Sequence, residues 1–183
     1  MALAYLTYHN GVISYQMGGW APPWGIEYVV DTANAFILLL VSSIATMVLI
    51  YSPASVAKEI RPGRGHLYYC MYILCLTGLL GIAITGDAFN VFVFLEISSL
   101  SSYALIAMGG QRKALTAAFQ YLVMGTIGAT FFLIGVGLLY MMTGTLNMAD
   151  LQTRIPGIQD SRPVLAAFAF ITVGLALKAA LFP

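Results

Sequence analysis

Polar residues interrupt this chain so rarely that five apolar runs dominate it: Thr32–Tyr51, Leu67–Gly86, Ala88–Met108, Ala114–Met142 and Val164–Pro183. A hydrocarbon core about 30 Å thick is crossed by roughly 20 apolar residues of helix, so each run is long enough to span a membrane. The fourth would extend roughly 43 Å at about 1.5 Å per residue, and must tilt or protrude. The pattern predicts an all-α polytopic membrane protein with about five transmembrane helices, its membrane domain covering residues 32–183. Residues 1–31 precede that domain as an outer-side segment. There His9-Asn10-Gly11 leads into the alternating "VISYQ", which reads as a small β-hairpin, and Trp20, Trp24 and Tyr28 suit an interfacial aromatic belt. "MALAYL" reads as the stub of an earlier helix or simply as a start, and it lacks the positive flank of a signal peptide. The chain stops at "LKAALFP", inside an apolar run, so a fragment is expected.

Composition points the same way. Charged residues make up 8% of the chain and hydrophobic residues 60%. A soluble domain carries about 25% charged residues, so this chain could not solvate its own surface in water. The net charge of +1, without a basic stripe, excludes a nucleic-acid partner. Cys70 and Cys75 fall inside an apolar run and read as small buried hydrophobes rather than a disulfide or metal site. His9 and His66 lie in loops without a second ligand at metal spacing, and no nucleotide loop or nucleophile motif appears. The chain therefore brings no cofactor or metal ligands of its own.

The basic residues give an orientation. Lys58, Arg61 and Arg64 follow the first span, and Arg112 and Lys113 lie between the third and fourth. The opposite side has Arg154 and Arg162, offset by Asp150 and Asp160. This asymmetry predicts that loops 52–66 and 109–113 are cytoplasmic.

Two ionisable residues lie well inside predicted spans, Glu96 and Lys178. A charge at mid-membrane costs about 2.5–3.5 kcal/mol on insertion scales, so such residues usually face a bundle interior or a wet cavity and find a partner of opposite sign. Burial favours each neutral form and the partner's charge favours each ionised form, the competition a switchable proton site needs. The plainer alternative is a static ion pair that only fixes helix packing. Ser99 and Tyr103 share the Glu96 face at i+3 and i+7, with Ser98, Ser101 and Ser102 nearby and Thr116 and Gln120 on the next helix. Most of these serines read as close-packing residues bonded to their own helix carbonyls. Gly125, Gly128, Gly135 and Gly137 likewise indicate close helix approach. Asp87 reads as the N-cap of the third span, with a proton or cation entrance as the sharper alternative. Pro183, five residues past Lys178, is expected to break the last helix.

The stretches "LTGLLGIAITGDAFNVFVFLEISSLSSYALIAMGG", "KALTAAFQYLVMGTIGATFFLIGVGLLYMMTGTLNMADL" and "LALKAALFP" resemble the D-type component of Mrp multisubunit cation/proton antiporters. That family is similar to the antiporter-like subunits of respiratory complex I and membrane-bound hydrogenases. The resemblance, which runs through nearly all of 26–183, implies a fold of about fourteen helices with two inverted repeats of five. It also implies a glutamate on the fifth helix paired functionally with a lysine on a broken seventh; Glu96 and Lys178 match them. The five spans would then be family helices three to seven, most of the first repeat, with the second repeat absent. Other membrane subunits, protons and a monovalent cation, Na+ before others, are the implied partners, and a bacterial inner membrane the implied location. Two alternatives stand beside this: a non-conducting scaffold or split copy, and the equivalent subunit of a redox-driven proton pump.

Overall fold

The structure, a computed structural model, describes residues 2–181. Its helices are α1 (Ala2–Asn10), α2 (Thr32–Glu59), α3 (Gly65–Ile84), α4 (Ala88–Ala107), α5 (Arg112–Thr143), α6 (Met148–Arg154) and α7 (Arg162–Lys178), with one two-stranded sheet of β1 (Ile13–Gln16) and β2 (Glu27–Val30). Helices α2 to α5 are long and apolar enough to cross a membrane, α2 being the least buried and α5 the most. The fifth predicted span appears as α7, which is 17 residues long. Pro183, expected to break that helix, lies outside the described residues.

Asn10-Gly11 does not form a hairpin turn. Gly11, at φ +79°, follows α1 and donates its N–H to the Thr7 carbonyl at 3.0 Å, so the glycine closes a helix, and β1 pairs instead with the distant β2. Helix α2 runs eight residues past the predicted end at Tyr51, straight through Pro53. Proline lacks the N–H that would bond to the Leu49 carbonyl four residues back. The Ser52 hydroxyl donates to that carbonyl at 2.8 Å, so nothing is left unsatisfied and the helix continues. Only residues 60–64 of the expected loop 52–66 therefore connect helices.

Two compact units divide the described chain: residues up to 12, 30–83 and 94–123 form one, and 13–29, 84–93 and 124 onward the other. In the first, α1 packs on α2. The Tyr72 hydroxyl of α3 donates to the Ala45 carbonyl of α2 at 2.7 Å. Helices α3 and α4 meet over two glycines. A Cβ on Gly78 would lie 2.7 Å from the Ser98 nitrogen, and one on Gly81 would strike the Phe94 ring. The connections α2–α3 and α4–α5 are tied together: Ile60 bridges Gly109, and the Gly110 N–H donates to the Glu59 carbonyl at 3.2 Å.

In the second unit, α5 and α7 cross at glycines. A Cβ on Gly174 would lie 2.7 Å from the Gly128 carbonyl oxygen and 2.8 Å from the Phe132 nitrogen, and one on Gly135 would lie 2.5 Å from the Ile171 side chain. Such backbone proximity is the usual basis of packing between helices in lipid, where no hydrophobic force draws them together. Val164 and Ala167 of α7 are fully enclosed.

Candidate functional site

Glu96 lies eight residues into α4, about 12 Å along its axis, and is half-buried. The helix presents two different faces. Phe94 and Ser98 face the α3 glycines, while Glu96, Ser99 and Tyr103 line the opposite face, since residues three and seven apart stack along a helix. Tyr103 is 7% exposed and packs edge-to-face on Tyr121 of α5, with ring centroids 4.8 Å apart. A side-chain hydrogen bond joins it to Ser99, and it lies within electrostatic reach of Glu96. A carboxyl, a hydroxyl and a phenol thus follow one another along the stripe. The remaining serines behave as packing residues: Ser98 donates to the Leu95 carbonyl, Ser101 to Ile97 and Ser102 to Ser98, at 2.6–3.0 Å. Thr116 and Gln120 are exposed.

Lys178 is the last residue of α7 and is half-buried in the second unit. Its aliphatic stem passes over Gly128 of α5, where an added Cβ would lie 3.4 Å from the lysine Cγ. The helix stops directly after it. The Leu181 N–H donates to the Ala176 carbonyl at 3.0 Å and the Ala180 N–H to the Leu177 carbonyl at 3.3 Å, while Ala180 takes φ +52°. These two bonds are the Schellman termination, with alanine in the left-handed position that glycine normally fills. The break falls immediately after the lysine, where it was expected, and Ala180 in the left-handed region ends the helix. It also sets the lysine at the negative end of the α7 dipole, which favours a cation.

Asp87 is the N-cap of α4, its carboxylate accepting from the Asn90 N–H at 2.8 Å. It is 8% exposed, and this burial pushes its carboxyl above the usual range, partly offset by the Asn90 and Phe89 backbone N–H groups. Around it the chain forms a polar knot that the hydropathy pattern did not predict. The Gly86 N–H donates to the Glu27 carbonyl, the Met148 N–H to the Gly86 carbonyl and the Ala88 N–H to the Leu146 carbonyl, each at 2.8 Å. The Glu27 carboxylate accepts from the Ser14 hydroxyl and from the Asn147 amide, the latter at 3.1 Å. Asn147 in turn caps α6 by accepting from the Asp150 N–H, and Asp150 pairs with Arg154 at 2.9 Å. The signal available in the sequence was Asn147 three residues ahead of Asp150, an N-cap pattern in an otherwise apolar neighbourhood.

The chain is 47% identical over 183 residues to the N-type subunit of the NADH-quinone oxidoreductase of Desulforudis audaxviator, covering all of this chain and 36% of that protein. It is 32% identical over 181 residues to the D-type component of the Na(+)/H(+) antiporter of Alkalihalophilus pseudofirmus, covering 99% of this chain and 36% of that one. Its fold matches a chain of the archaeal membrane-bound sulfane sulfur reductase with a TM-score of 0.85 at 34% identity, covering 96% of this chain and 35% of that chain. It also matches a chain of the Mrp complex of Dietzia sp. DQ12-45-1b with a TM-score of 0.78 at 32% identity, covering 98% and 34%. The chain thus spans about a third of the length of the relatives it matches. Residues 85–183, the part holding both Glu96 and Lys178, match the family described as NADH:quinone oxidoreductase/Mrp antiporter, TM. A predominantly helical membrane chain with this fold and this sequence belongs to the NADH:quinone oxidoreductase/Mrp antiporter transmembrane family.

Proposed function

We propose that this chain is part of a proton-translocating subunit of a multisubunit monovalent cation/proton antiporter, with Glu96 and Lys178 as the groups that exchange protonation and pairing states. The observation that carries this reading is the end of α7. The helix terminates at Lys178 within an apolar run, and interrupted helices beside ionisable residues are a recurring device of ion transporters. The stripe from Glu96 through Ser99 to Tyr103 supplies the hydroxyls a proton needs to leave a carboxyl. Na+ is the proposed counter-ion, after the Alkalihalophilus pseudofirmus relative, and a bacterial inner membrane the proposed location.

A second reading, the same subunit within a redox-driven proton pump, is favoured by the higher identity to the NADH-quinone oxidoreductase relative. One experiment addresses both. In everted vesicles carrying the complex that contains this chain, a pH gradient is collapsed by added Na+ or K+, or built by NADH and quinone; the active condition identifies the driving reaction. Glu96→Ala and Lys178→Ala are expected to abolish proton movement at unchanged levels of assembled complex. Normal turnover in either variant removes that residue from the mechanism, and loss of assembly without loss of specific turnover identifies a scaffold.

A further inference from the structure

Lys58, Arg61, Arg64, Arg112 and Lys113 lie in or beside the two tied connections. A positive-inside bias requires that they lie on one side; it does not require that they converge. Three of them do. Arg61-Pro62-Gly63-Arg64 forms a tight turn: the Arg64 N–H donates to the Arg61 carbonyl at 3.2 Å, with Gly63 at φ +84°. Proline second and a positive-φ glycine third are the signature of a type II turn, which brings its first and fourth residues within about 7 Å of each other. The sequence thus fixes two guanidinium-bearing residues side by side. The Ile60–Gly109 bridge and the Gly110 N–H to Glu59 carbonyl bond then hold this turn against the α4–α5 connection, where Arg112 opens α5.

Arg61, Arg64 and Arg112 line one cavity of about 290 Å³. No carboxylate lines it, and none among the described residues forms an ion pair with any of the three. The first turn of α5 contains no acidic residue, so the positive end of a 32-residue helix adds to the same field. The three side chains are exposed, so solvent screens their mutual repulsion, and an anion among them would relieve what remains. The rest of the lining limits what that anion is. Met108 and Leu115 form an apolar wall, Leu115 being 59% exposed, and the cavity lies where α4 ends and α5 begins, at the boundary between membrane and water. A free phosphate has no use for an apolar wall. A phospholipid presents a phosphate to the arginines and acyl chains to the methionine and leucine.

We infer that Arg61, Arg64 and Arg112 form a headgroup site for an anionic phospholipid, the guanidinium forks holding the phosphodiester and Met108 and Leu115 the upper part of its chains. Arginine suits this because its planar fork meets phosphate oxygens two at a time. Basic pockets beside membrane helices recognise anionic lipids by the same chemistry.

The site is independent of proton movement, so its test reads lipid retention. The complex containing this chain is purified in maltoside, stripped of lipid, exposed to vesicles of either dioleoylphosphatidylglycerol or dioleoylphosphatidylcholine, repurified, and its retained lipid counted by native mass spectrometry. Wild type is expected to retain phosphatidylglycerol over phosphatidylcholine. Arg61→Gln/Arg64→Gln/Arg112→Gln is expected to lose that preference by at least about tenfold, the effect of one charged hydrogen bond or more. The Arg→Lys triple variant keeps charge and orientation and is expected to lose it several-fold. Excess inorganic phosphate is expected to leave the lipid in place. Equal retention in wild type and the glutamine variant overturns the site, as does undiminished retention in the lysine variant, which would mean diffuse charge alone. Displacement by inorganic phosphate points to a small-anion site and overturns the lipid. Loss of a neighbouring subunit with lipid retention intact overturns it too, and assigns the arginines to an acidic protein segment.

Discussion

At Glu96 the informative neighbour is the phenol one face-length away. Tyr103 is buried, bonded to Ser99 and stacked edge-on against Tyr121. Its ring contributes packing; its hydroxyl is the part available to a proton. Tyr103→Phe keeps the first and removes the second, so assembly should be unchanged while proton movement falls about tenfold, the equivalent of one hydrogen bond to a charged group. Equal turnover in vesicles would reduce Tyr103 to a packing residue. Asp87 allows a test of a different kind. Its carboxyl binds a proton more tightly in the folded chain than in the unfolded one, because burial raises it. That contribution to stability is complete below the ordinary carboxylate value and is lost as pH rises through the raised one. Asp87→Asn keeps an acceptor at the cap of α4 and cannot ionise. Its melting temperature should therefore lack the decline expected of wild type as pH rises above the ordinary carboxylate value; parallel curves would dismiss the effect. Glu96 and Asp87 were legible in the sequence because a charge stands out in an apolar run. The Tyr103–Tyr121 contact and the Glu27–Asn147 bond were not, since an aromatic in a membrane helix has no preferred partner in a linear pattern, and 120 positions separate the second pair.

At the scale of elements, the α5–α7 crossing depends on the absence of a methyl group. Gly174→Ala would press a carbon to 2.7 Å from the Gly128 carbonyl oxygen and 2.8 Å from the Phe132 nitrogen, both backbone atoms of α5. Neither can yield as a side-chain tip would, so a loss of about 1–3 kcal/mol is expected. Gly137 of helix α5 is a control, because a Cβ there meets nothing within 4 Å. Gly137→Ala should be neutral or gain up to about 1 kcal/mol from helix propensity. Thermal melts in detergent compare the two, and equal shifts would refute the crossing. The end of α7 predicts a gain: Ala180→Gly removes a side chain from the left-handed position at φ +52° and should stabilise by about 1 kcal/mol. The existence of α2 to α5 and α7 was legible because apolar length alone decides it in lipid, whereas the seven-residue α6 has no such length and was missed. Helix ends were less legible. The first span was expected to end at Tyr51, and the Ser52 hydroxyl that stands in for the missing N–H of Pro53 and lets α2 continue leaves no mark in a linear pattern. A break in the last helix was expected from Pro183, but the left-handed Ala180 that ends it was not, because nothing polar marks Ala179 or Ala180.

For the whole molecule, the remaining question is which way the helices face. The tie between Ile60 and Gly109 sets the α2–α3 and α4–α5 connections beside each other, so the five basic residues 58, 61, 64, 112 and 113 act as one group. The segment between α5 and α7 carries Arg154 and Arg162, with Asp150 directly paired to Arg154. Translocation of the more basic group is disfavoured, and this predicts that it stays in the cytoplasm. Gln111 and Gln159 are exposed reporters, one in each group, and neither is charged, so changing them leaves the bias intact. With Cys70 and Cys75 replaced by alanine, Gln111→Cys should resist a membrane-impermeant maleimide in intact cells and react after permeabilisation. Gln159→Cys should react in both conditions. The reverse pattern would invert the orientation and place the arginine cavity at the outer leaflet. Labelling of both cysteines in intact cells would mean that α5, the longest and most enclosed of the four apolar helices, does not cross the bilayer at all.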